Sequence, residues 1–540
     1  MKIAELEVRH FRGIAHARLS FDGTVLLFGE NDVGKTALFD ALALMLTEWP
    51  AGRPLLQASD VRAAAQPQPI VIEILCVEEE PGEWNRAACE PMRECALPLH
   101  EGLRALRLRM QAAPDSLQAQ WSVASARGVF RPAHAALLQN LRRQVPLVQI
   151  RSTRTLALGA PAQLEAEDRP APGRMLVAYW QALQRGEVAL PLGEGAELAQ
   201  RYLAEGFPSL SIAGPGEPEQ RLLPHDPAPQ PPVRAGAAAR KMALLMLASA
   251  LVEDGFRALT PGARPLVIVE DPEAHLHPMT LAALWDMLAS IRAQKLVSSQ
   301  SGHLLAAAPL GTLCRLTQNE GVVSTWQVRE QRFSAEDLRK FSYHLRIRNG
   351  VAMFARCWLL VEGETEFWAL SELARLLGFD FAQEGVACVE FAQCGVQVLV
   401  RMARELGIEW HVLADGDNAG QAYASTVRHE LQDEDASERL TVLAERDIEN
   451  SFWSHGFEAV FREAAGISAA APVSAARVIA KAIQRRSKPY LAFAVARAAA
   501  ERGPSSVPPP IAALLETCVN LARRNHRKTR HDMRVPAGHG

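Results

Sequence analysis

The first 28 residues alternate apolar and polar side chains in two runs, 3–8 and 17–28, which a Phe-Arg-Gly segment at 11–13 separates. Alternation with a period of two is typical of strands that bury one face, so it predicts a strand pair. The second run leads into a glycine-rich turn, after which the apolar residues of 34–46 recur at helical spacing. The chain therefore begins as strands, a glycine-rich loop and a helix.

The middle of the chain changes pattern several times. Alternating runs at 70–77, 103–110 and 117–123 predict an antiparallel sheet, and helical spacing follows at 134–143 and 174–183. The stretch 214–236 contains too many prolines for one regular element, so we interpret it as a linker or a long surface loop. An Ala- and Leu-rich helix at 237–252, a buried parallel strand at 265–269 and a neighbouring strand at 295–298 complete this part.

A second alternation starts after Tyr343. It predicts strands at 358–361, 387–391 and 410–414 with helices at 365–377 and 396–405 between them. Strands that alternate with helices form parallel sheets, so we expect a second, smaller parallel sheet.

Composition limits the class of protein. A chain of 540 residues predicts several domains, and 48% hydrophobic with 22% charged residues is typical of a globular protein. The net charge of −3 excludes an overall basic surface, so any residues that bind nucleic acid must be locally concentrated. Eight scattered cysteines without a C-x-x-C pair argue against a zinc ribbon or a disulfide scaffold. With no signal-like start and no apolar window of membrane-spanning length, we expect a cytoplasmic protein without membrane contact.

A phosphate-binding motif lies between the first strands and the first helix. The segment Gly29, Glu30, Asn31, Asp32, Val33, Gly34, Lys35 and Thr36 fits G-x-x-x-x-G-K-[ST]. In such a loop the backbone N–H groups surround phosphate oxygens, Lys35 reaches the β- and γ-phosphates, and Thr36 binds Mg²⁺. The position between a strand and a helix favours an ATP site over a chance glycine-rich turn.

An acidic pair follows the strand at 265–269. Glu270 is placed to hold Mg²⁺ and Asp271 to polarise the attacking water, the alternative being an acidic pair on the surface. The long separation from Lys35 predicts an insertion within this ATPase, between about 130 and 234.

The segment that starts at Glu270, E-D-P-E-A-H-L-H-P, resembles the signature of the SMC/RecF-like branch of ABC-type ATPases, particularly the OLD family of ATP-dependent endonucleases. The resemblance implies two ATPase heads that sandwich ATP, hence a homodimer or higher oligomer through the ATPase region. The segment 234–240 stands at the signature position without its Ser-Gly core, and Gln300 stands where a histidine is expected. These departures predict ATP binding with slow hydrolysis, or ATP used as a clamp. His275 and His277 are either a metal pair or, as we prefer, structural.

Four carboxylates flank two strands of the second sheet. Glu362 follows a strand and Glu366 lies in the next helical turn, while Asp415 and Asp417 follow another strand on either side of a glycine. Ligands collect at such strand ends, and carboxylates brought together there repel unless divalent cations neutralise them. The alternative is a pair of solvated acidic loops.

This combination resembles the Toprim domain of topoisomerases, primases and OLD nucleases, over about 352–500. The resemblance implies that Glu362, Glu366, Asp415, Asp417 and Glu449 bind two Mg²⁺ or Mn²⁺ ions, with Asp447 the second choice for the last of these ligands. It also implies that Lys488 stabilises transition-state charge, although a solvated surface lysine is an equal alternative. With Asp271 of the ATPase, Glu362 and Lys488 are the predicted catalytic residues.

Two basic runs, at 484–488 and 523–531, could hold a polyanion near this site, the alternative for the terminal run being a solubilising tail. They carry no information about base sequence.

Together these patterns predict an α/β protein in which an ABC-type P-loop ATPase with a helical insertion precedes a smaller Toprim domain. The predicted divisions are an ATPase first part at 1–130, an inserted arm at 131–234, an ATPase second part at 235–342, a Toprim nuclease domain at 343–500, and a C-terminal helix with a basic tail at 501–540. The resemblance implies an ATP- and divalent-metal-dependent DNA endonuclease, active in genome maintenance or defence against phage and partnered by a helicase. The alternative is an ATP-switched nucleic-acid sensor or repair clamp without nuclease turnover.

Overall fold

The computed structural model of the protein describes residues 1–47, 55–64, 66–125, 127–150, 156–159, 211–212, 220–221, 262–274, 276, 278, 281–344 and 350–525. The chain divides into two compact units, Met1–Thr325 and Trp326–Gly540. The predicted helices at 174–183 and 237–252, the segment 234–240, His275 and His277, and the basic tail beyond 525 lie outside the described residues.

The first unit is built on one large sheet with helices against it. Its strands are β1 Lys2–Phe11, β2 Ile14–Ser20, β3 Thr24–Phe28, β4 Ile70–Val77, β5 Leu97–Pro98, β6 Arg104–Ala112, β7 Ala119–Ala124, β8 Phe130–Pro132, β9 Leu147–Ile150, β10 Leu156–Gly159, β11 Ser211–Ile212, β12 Gln220–Arg221, β13 Leu266–Val269, β14 Gln294–Ser299, β15 Leu313–Asn319 and β16 Val322–Gln327. Its helices are α1 Lys35–Leu46, α2 Glu90–Glu94, α3 Ala135–Gln144, α4 Leu281–Ser290 and α5 Gly302–Ala307.

The strand order separates a parallel centre from an antiparallel flank. The order is β12-β11-β10-β9-β13-β14-β3-β15-β16-β2-β1-β4-β6-β7-β8, with β5 on β6. The five strands from β9 to β15 in this order run parallel, whereas β2, β1, β4, β6, β7 and β8 pair antiparallel. The predicted antiparallel sheet is therefore confirmed. The parallel centre is apolar and buried, as in β13, whose four residues are all buried.

Two features of this unit differ from the pattern-based expectation. The run 17–28 is two strands, β2 and β3, because the chain turns at Phe21–Gly23, where Gly23 has φ 64°. The strand β9 lies within the range predicted for the inserted arm, yet it pairs in parallel with β13 and all four of its residues are buried. The strand β9 therefore belongs to the core of the sheet.

The second unit has a four-stranded sheet surrounded by helices. The strands are β17 Cys357–Val361, β18 Val386–Glu390, β19 Glu409–Ala414 and β20 Leu440–Val442. The helices are α6 Ala335–His344, α7 Glu364–Leu376, α8 Phe381–Glu384, α9 Val396–Glu405, α10 Asn418–Glu430, α11 Ala436–Arg439, α12 Ile448–Phe452, α13 Glu458–Ala465, α14 Ala475–Arg485, α15 Lys488–Arg502 and α16 Pro509–Asn525. The order β18-β17-β19-β20 is parallel throughout, which confirms the predicted second sheet.

The described helices include none that is both long and apolar enough to cross a membrane. Within the described part of the chain the eight cysteines form no disulfide.

Candidate functional site

The glycine-rich loop connects β3 to α1 and is shaped by close backbone approach. A Cβ atom at Gly29, where φ is 150°, would lie 2.4 Å from the backbone oxygen of Leu316, so only glycine fits there. Lys35 begins α1, is buried, and its Nζ donates to the backbone oxygens of Gly29 at 2.8 Å and Glu30 at 2.9 Å. The first turn of α1 has no side-chain cap, so its N–H groups can face an anion.

The charges around Lys35 come from two loops. Burial lowers the pKa of Lys35, while the negative charges of Asp271, Glu273, Asp32 and Glu30 oppose that shift. Asp271 and Glu273, which follow β13, therefore lie close to the lysine, although β14 separates β13 from β3 in the sheet. The strand order thus brings together both halves of the predicted ATP site. Thr36 follows Lys35 and is exposed.

The acidic pair is fixed by β14 and β9. Glu270 is 8% exposed, and its N–H donates to the backbone oxygen of Ile150 at 2.9 Å. Asp271 has φ 42°, and its N–H donates to Ser298 Oγ at 3.1 Å, while Ser298 Oγ donates to Asp271 Oδ1 at 3.2 Å. Ser298 therefore orients the carboxylate that we expect to face the attacking water.

Glu273 is a residue of this site to which the sequence reasoning gave no role. Its Oε1 accepts from Ser299 Oγ at 2.9 Å and from the N–H of Gln300 at 2.7 Å. Its Oε2 is buried without a hydrogen-bond partner among the described residues, and burial raises its pKa. The fourth position of the E-D-P-E motif could have indicated it. Gln300 is held through its backbone, which leaves its side chain exposed.

The second group of predicted residues lies at the ends of adjacent parallel strands. Glu362 follows β17 and Asp415 follows β19, its neighbour. Glu366 lies in the first turn of α7 and is buried. Asp417 caps α10 by accepting the Gly420 N–H at 2.9 Å, and buried Glu449 on α12 accepts from Thr365 Oγ1 at 2.8 Å. Charge interactions of Asp415 with Glu362, Glu366 and Glu449, and of Glu362 with Asp417, show that the five predicted metal ligands lie near one another.

The glycine between the two aspartates permits close packing. A Cβ atom at Gly416 would lie 2.2 Å from the backbone oxygen of Glu445 and 2.7 Å from that of Leu443. The N–H of Gly416 donates to the oxygen of Glu445 at 3.1 Å. This contact holds the Asp415 loop against the segment that leads to α12.

Electrostatic interactions among these acids are strong. Burial, followed by the charges of Glu366, Glu362, Asp447 and Glu449, raises the pKa of Asp415 to about 8. Burial removes water from the charged carboxylate, and the nearby negative charges add to its cost.

The neighbouring glutamates show the same effect. Burial, reinforced by the charge of Glu449, raises the pKa of Glu366 to about 7. Burial and the charge of Asp417 also raise the pKa of Glu362. The positive charge of Lys488 opposes both shifts, so the structure brings this lysine to the carboxylates.

Lys488 and Glu366 converge on one backbone position. A Cβ atom at Gly363 would lie 3.5 Å from Glu366 Oε2 and 4.0 Å from Lys488 Nζ. Lys488 reaches this point from the first position of α15, which packs along α7. The lysine is therefore part of the site's charge balance.

The donor set fits a hard divalent cation, because all of its ligand atoms are oxygens. Glu362 Oε2 is buried without a hydrogen-bond partner among the described residues. In the same part of the chain no three His, Cys, Asp or Glu side chains surround a common point that could hold a metal ion. Burial raises the pKa values of Glu366 and Asp415, and the charges of neighbouring carboxylates add to both shifts.

Comparison with known proteins gives the family. The model of a family described as "Protein of unknown function (DUF2813)" matches residues 1–171 and 233–352. The chain belongs to the DUF2813 family. A relative, "Uncharacterized protein YbjD" of Escherichia coli (strain K12), is 32% identical over 562 residues, which cover 97% of this chain and 99% of the relative.

Beyond the DUF2813 match, residues 353–417 match the model of the TOPRIM domain of overcoming lysogenization defect protein-like (OLD-like) proteins. Among solved structures, the SMC head domain from Thermotoga maritima is 16% identical with a TM-score of 0.32, covering 61% of this chain and 100% of that one. The C-terminal region of the Burkholderia pseudomallei OLD protein is 17% identical with a TM-score of 0.27, covering 31% and 99%.

The predicted fold class and the predicted relation to OLD proteins are confirmed. This DUF2813 protein combines a large mixed sheet, which carries the glycine-rich loop, with an OLD-like TOPRIM domain that has a parallel sheet. The domain limits and the individual site residues stay predictions.

Proposed function

We propose that this DUF2813 protein is an ATP-dependent, divalent-metal-dependent DNA endonuclease. One observation carries the proposal: carboxylates lie near the ends of parallel strands beside Lys488, where burial, reinforced by their mutual repulsion, raises the pKa of Asp415 to about 8. A group of acids that disfavours its own charge is suited to binding cations. The OLD-like TOPRIM match over 353–417 supports a nuclease rather than a purely structural role.

The residues of the TOPRIM domain have distinct tasks in this proposal. Glu362, Glu366, Asp415, Asp417 and Glu449 would hold two Mg²⁺ or Mn²⁺ ions. Such ions, when bound, activate a water molecule and stabilise the leaving oxygen of a phosphodiester.

The remaining groups position the ligands and balance charge. Asp417 is oriented by its role as the cap of α10, and Glu449 by the hydroxyl of Thr365. Lys488 would stabilise the negative charge that develops on the phosphate in the transition state.

The P-loop would bind ATP and gate the cut. Lys35 would exchange its bonds to two backbone oxygens for the β- and γ-phosphates, which the N–H groups of α1 also contact. Thr36 and Glu270 would hold Mg²⁺, and Asp271, oriented by Ser298, would polarise the water. Slow hydrolysis is expected because Gln300 replaces a histidine.

The proposal extends to partners. DNA is the substrate, the active form is a homodimer or higher oligomer through the ATPase region, and the protein works in the cytoplasm, beside a helicase, in phage defence or DNA repair.

A plasmid-nicking assay with Mg²⁺ or Mn²⁺, with and without ATP, tests the proposal. Asp415→Asn and Glu362→Gln should each reduce nicking at least about a hundredfold. Loss of a metal ligand lowers activity more than loss of a group that only hydrogen-bonds to a ligand, which already costs about 10- to 100-fold. Glu364→Gln is the matched control, since this exposed carboxylate lies in the same motif and should leave nicking unchanged.

Undiminished cutting by purified Asp415→Asn protein would contradict the proposal. A wild-type protein that binds ATP and DNA but never cuts would favour the second candidate, an ATP-switched sensor or repair clamp, which the replacement at Gln300 motivates.

A further inference from the structure

Three large aromatic side chains are exposed on two adjacent helices of the second unit. Trp368 on α7 is 40% exposed, and Tyr490 and Phe493 on α15 are 43% and 46% exposed. The ring centroids of Trp368 and Phe493 are 5.5 Å apart, and the two helices pack along each other. We call these three side chains the aromatic platform. Aromatic rings are mostly buried in folded proteins, so their grouping at the surface requires an explanation.

The platform adjoins the carboxylate site. Trp368 follows Glu366 by two residues, and Tyr490 follows Lys488 by two, so each ring residue lies about 3 Å along its helix and about half a turn around it from a residue of the site. Glu366 Oε2 and Lys488 Nζ both approach Gly363, so the two helices start at the site and carry the platform away from it.

Positive charges border the platform. The guanidinium of Arg486 lies 4.9 Å from the centroid of the Tyr490 ring, and Lys488 and Arg497 are exposed on the same helix. Arg497 follows Phe493 by four residues, which places it on the same face. The nearby acid Glu372 is paired with Arg375 at 3.1 Å. The surface therefore combines partly exposed aromatic rings with exposed cations, of which Lys488 also faces the carboxylates of the site.

This combination matches single-stranded nucleic acid, in which phosphates alternate with bases whose faces are free to stack. A duplex hides those faces, so the rings would gain nothing from it. A protein or a second copy of this chain would bury the rings too, but would have no general need for the cations beside a carboxylate site.

We infer that the aromatic platform stacks unpaired bases, and that the substrate is single-stranded or locally unpaired DNA led along α7 and α15 to the carboxylates. This inference rests on the proposed function, whose substrate class it names.

Fluorescence anisotropy with a labelled oligo-dT strand and a duplex of equal length, in EDTA so that no cutting occurs, tests the inference. Trp368→Ala and Phe493→Ala should each weaken single-strand binding roughly five- to a hundredfold, as loss of one stacking ring does. Duplex binding should not change, and Trp368→Phe should restore most of the affinity. Tyr343→Ala, an exposed aromatic residue on α6 outside the platform, is the matched control. Thermal melting confirms that each variant is folded.

The outcomes separate this inference from the proposed function. Folded platform variants that bind the oligonucleotide like the wild type overturn the inference, whether or not the wild type nicks plasmid. Lost single-strand binding in a protein that never cuts DNA supports the inference and contradicts the nuclease. A change in sedimentation mass without a change in oligonucleotide affinity shows a contact between copies and overturns the inference.

Discussion

The P-loop and the carboxylate site lie where parallel strands end in two different sheets, and each places one lysine among several acids in a different arrangement. Each lies where strands end and a helix begins. Lys35 is held by two backbone oxygens and surrounded by acids that partly offset its burial. The carboxylate site instead places Lys488 beside Glu362 and Glu366, and burial raises the pKa of Glu366 to about 7 and that of Asp415 to about 8.

The difference shows what each site needs from a ligand. The P-loop offers a cation and free N–H groups, so it suits an anion such as a phosphate. The carboxylate site has negative charge in excess, so it suits cations that then hold a phosphate. The segment after the strand decides the outcome: glycines and a lysine in one site, and a glutamate or an Asp-Gly-Asp turn in the other.

The largest effect is expected from a substitution in the P-loop, and it tests whether ATP affinity is independent of the carboxylate site. Lys35→Ala should weaken ATP binding by about 2–5 kcal/mol, because it removes a charged partner of the phosphates. A fluorescent ATP analogue measures the affinity. Asp415→Asn is the reciprocal control and should leave that affinity unchanged. Equal losses of ATP affinity in both variants would show that the two sites do not bind their ligands independently.

A smaller effect follows from the excess acid. The folded pKa values of Asp415, about 8, and Glu366, about 7, lie above the unfolded values near 4. The folded state therefore binds more protons, and without metal its stability should fall as pH rises from about 4 to about 8. After allowance for solvent screening at partly exposed Asp415, we expect a loss on the order of 2 kcal/mol.

Melting temperatures in EDTA between pH 5 and pH 8.5 measure this loss. Asp415→Asn should flatten the profile, and Mg²⁺ should restore stability at high pH in the wild type but not in the variant. If the melting temperature of the wild type rises with pH over this range, or if the variant shows the same profile, the excess of carboxylates does not determine the pH dependence of stability.

The local patterns of the sequence were sufficient for most of the second sheet. The three strands and two helices that were predicted start and end within a residue or two of their predicted limits, because the period of side-chain burial is a local property, whereas β20 was not predicted. Glu362 and Asp415 could be placed together because ends of neighbouring parallel strands meet.

Other features depend on contacts distant in sequence. The four residues of β9 are too few for a periodic signal, and only pairing with β13 makes them a core strand. Lys488 was assigned by resemblance alone, since its position depends on how α15 packs on α7. The aromatic platform was missed because exposure of Trp368 cannot be read from spacing that equally suits a buried helix face.

The smallest expected effect concerns the first unit, where we expect the free energy of unfolding to change with pH in the opposite direction to that of the carboxylate site. Lys295 on β14 is buried, and its Nζ donates to the backbone oxygen of Ile291 at 2.5 Å, at the end of α4. Burial lowers its pKa to about 8, below the unfolded value near 10.4. The unfolded state therefore binds more protons, and this lysine should make stability rise between about pH 8 and pH 10, by roughly 1 kcal/mol after allowance for partial solvation.

Melting temperatures of Lys295→Met and the wild type, measured over this pH range, test the prediction. The difference between the two profiles isolates the contribution of Lys295, because all other titrating groups are common to both proteins. Parallel profiles would mean that Lys295 stays protonated over this range. The pH dependence of stability would then come from the carboxylate site of the second unit alone.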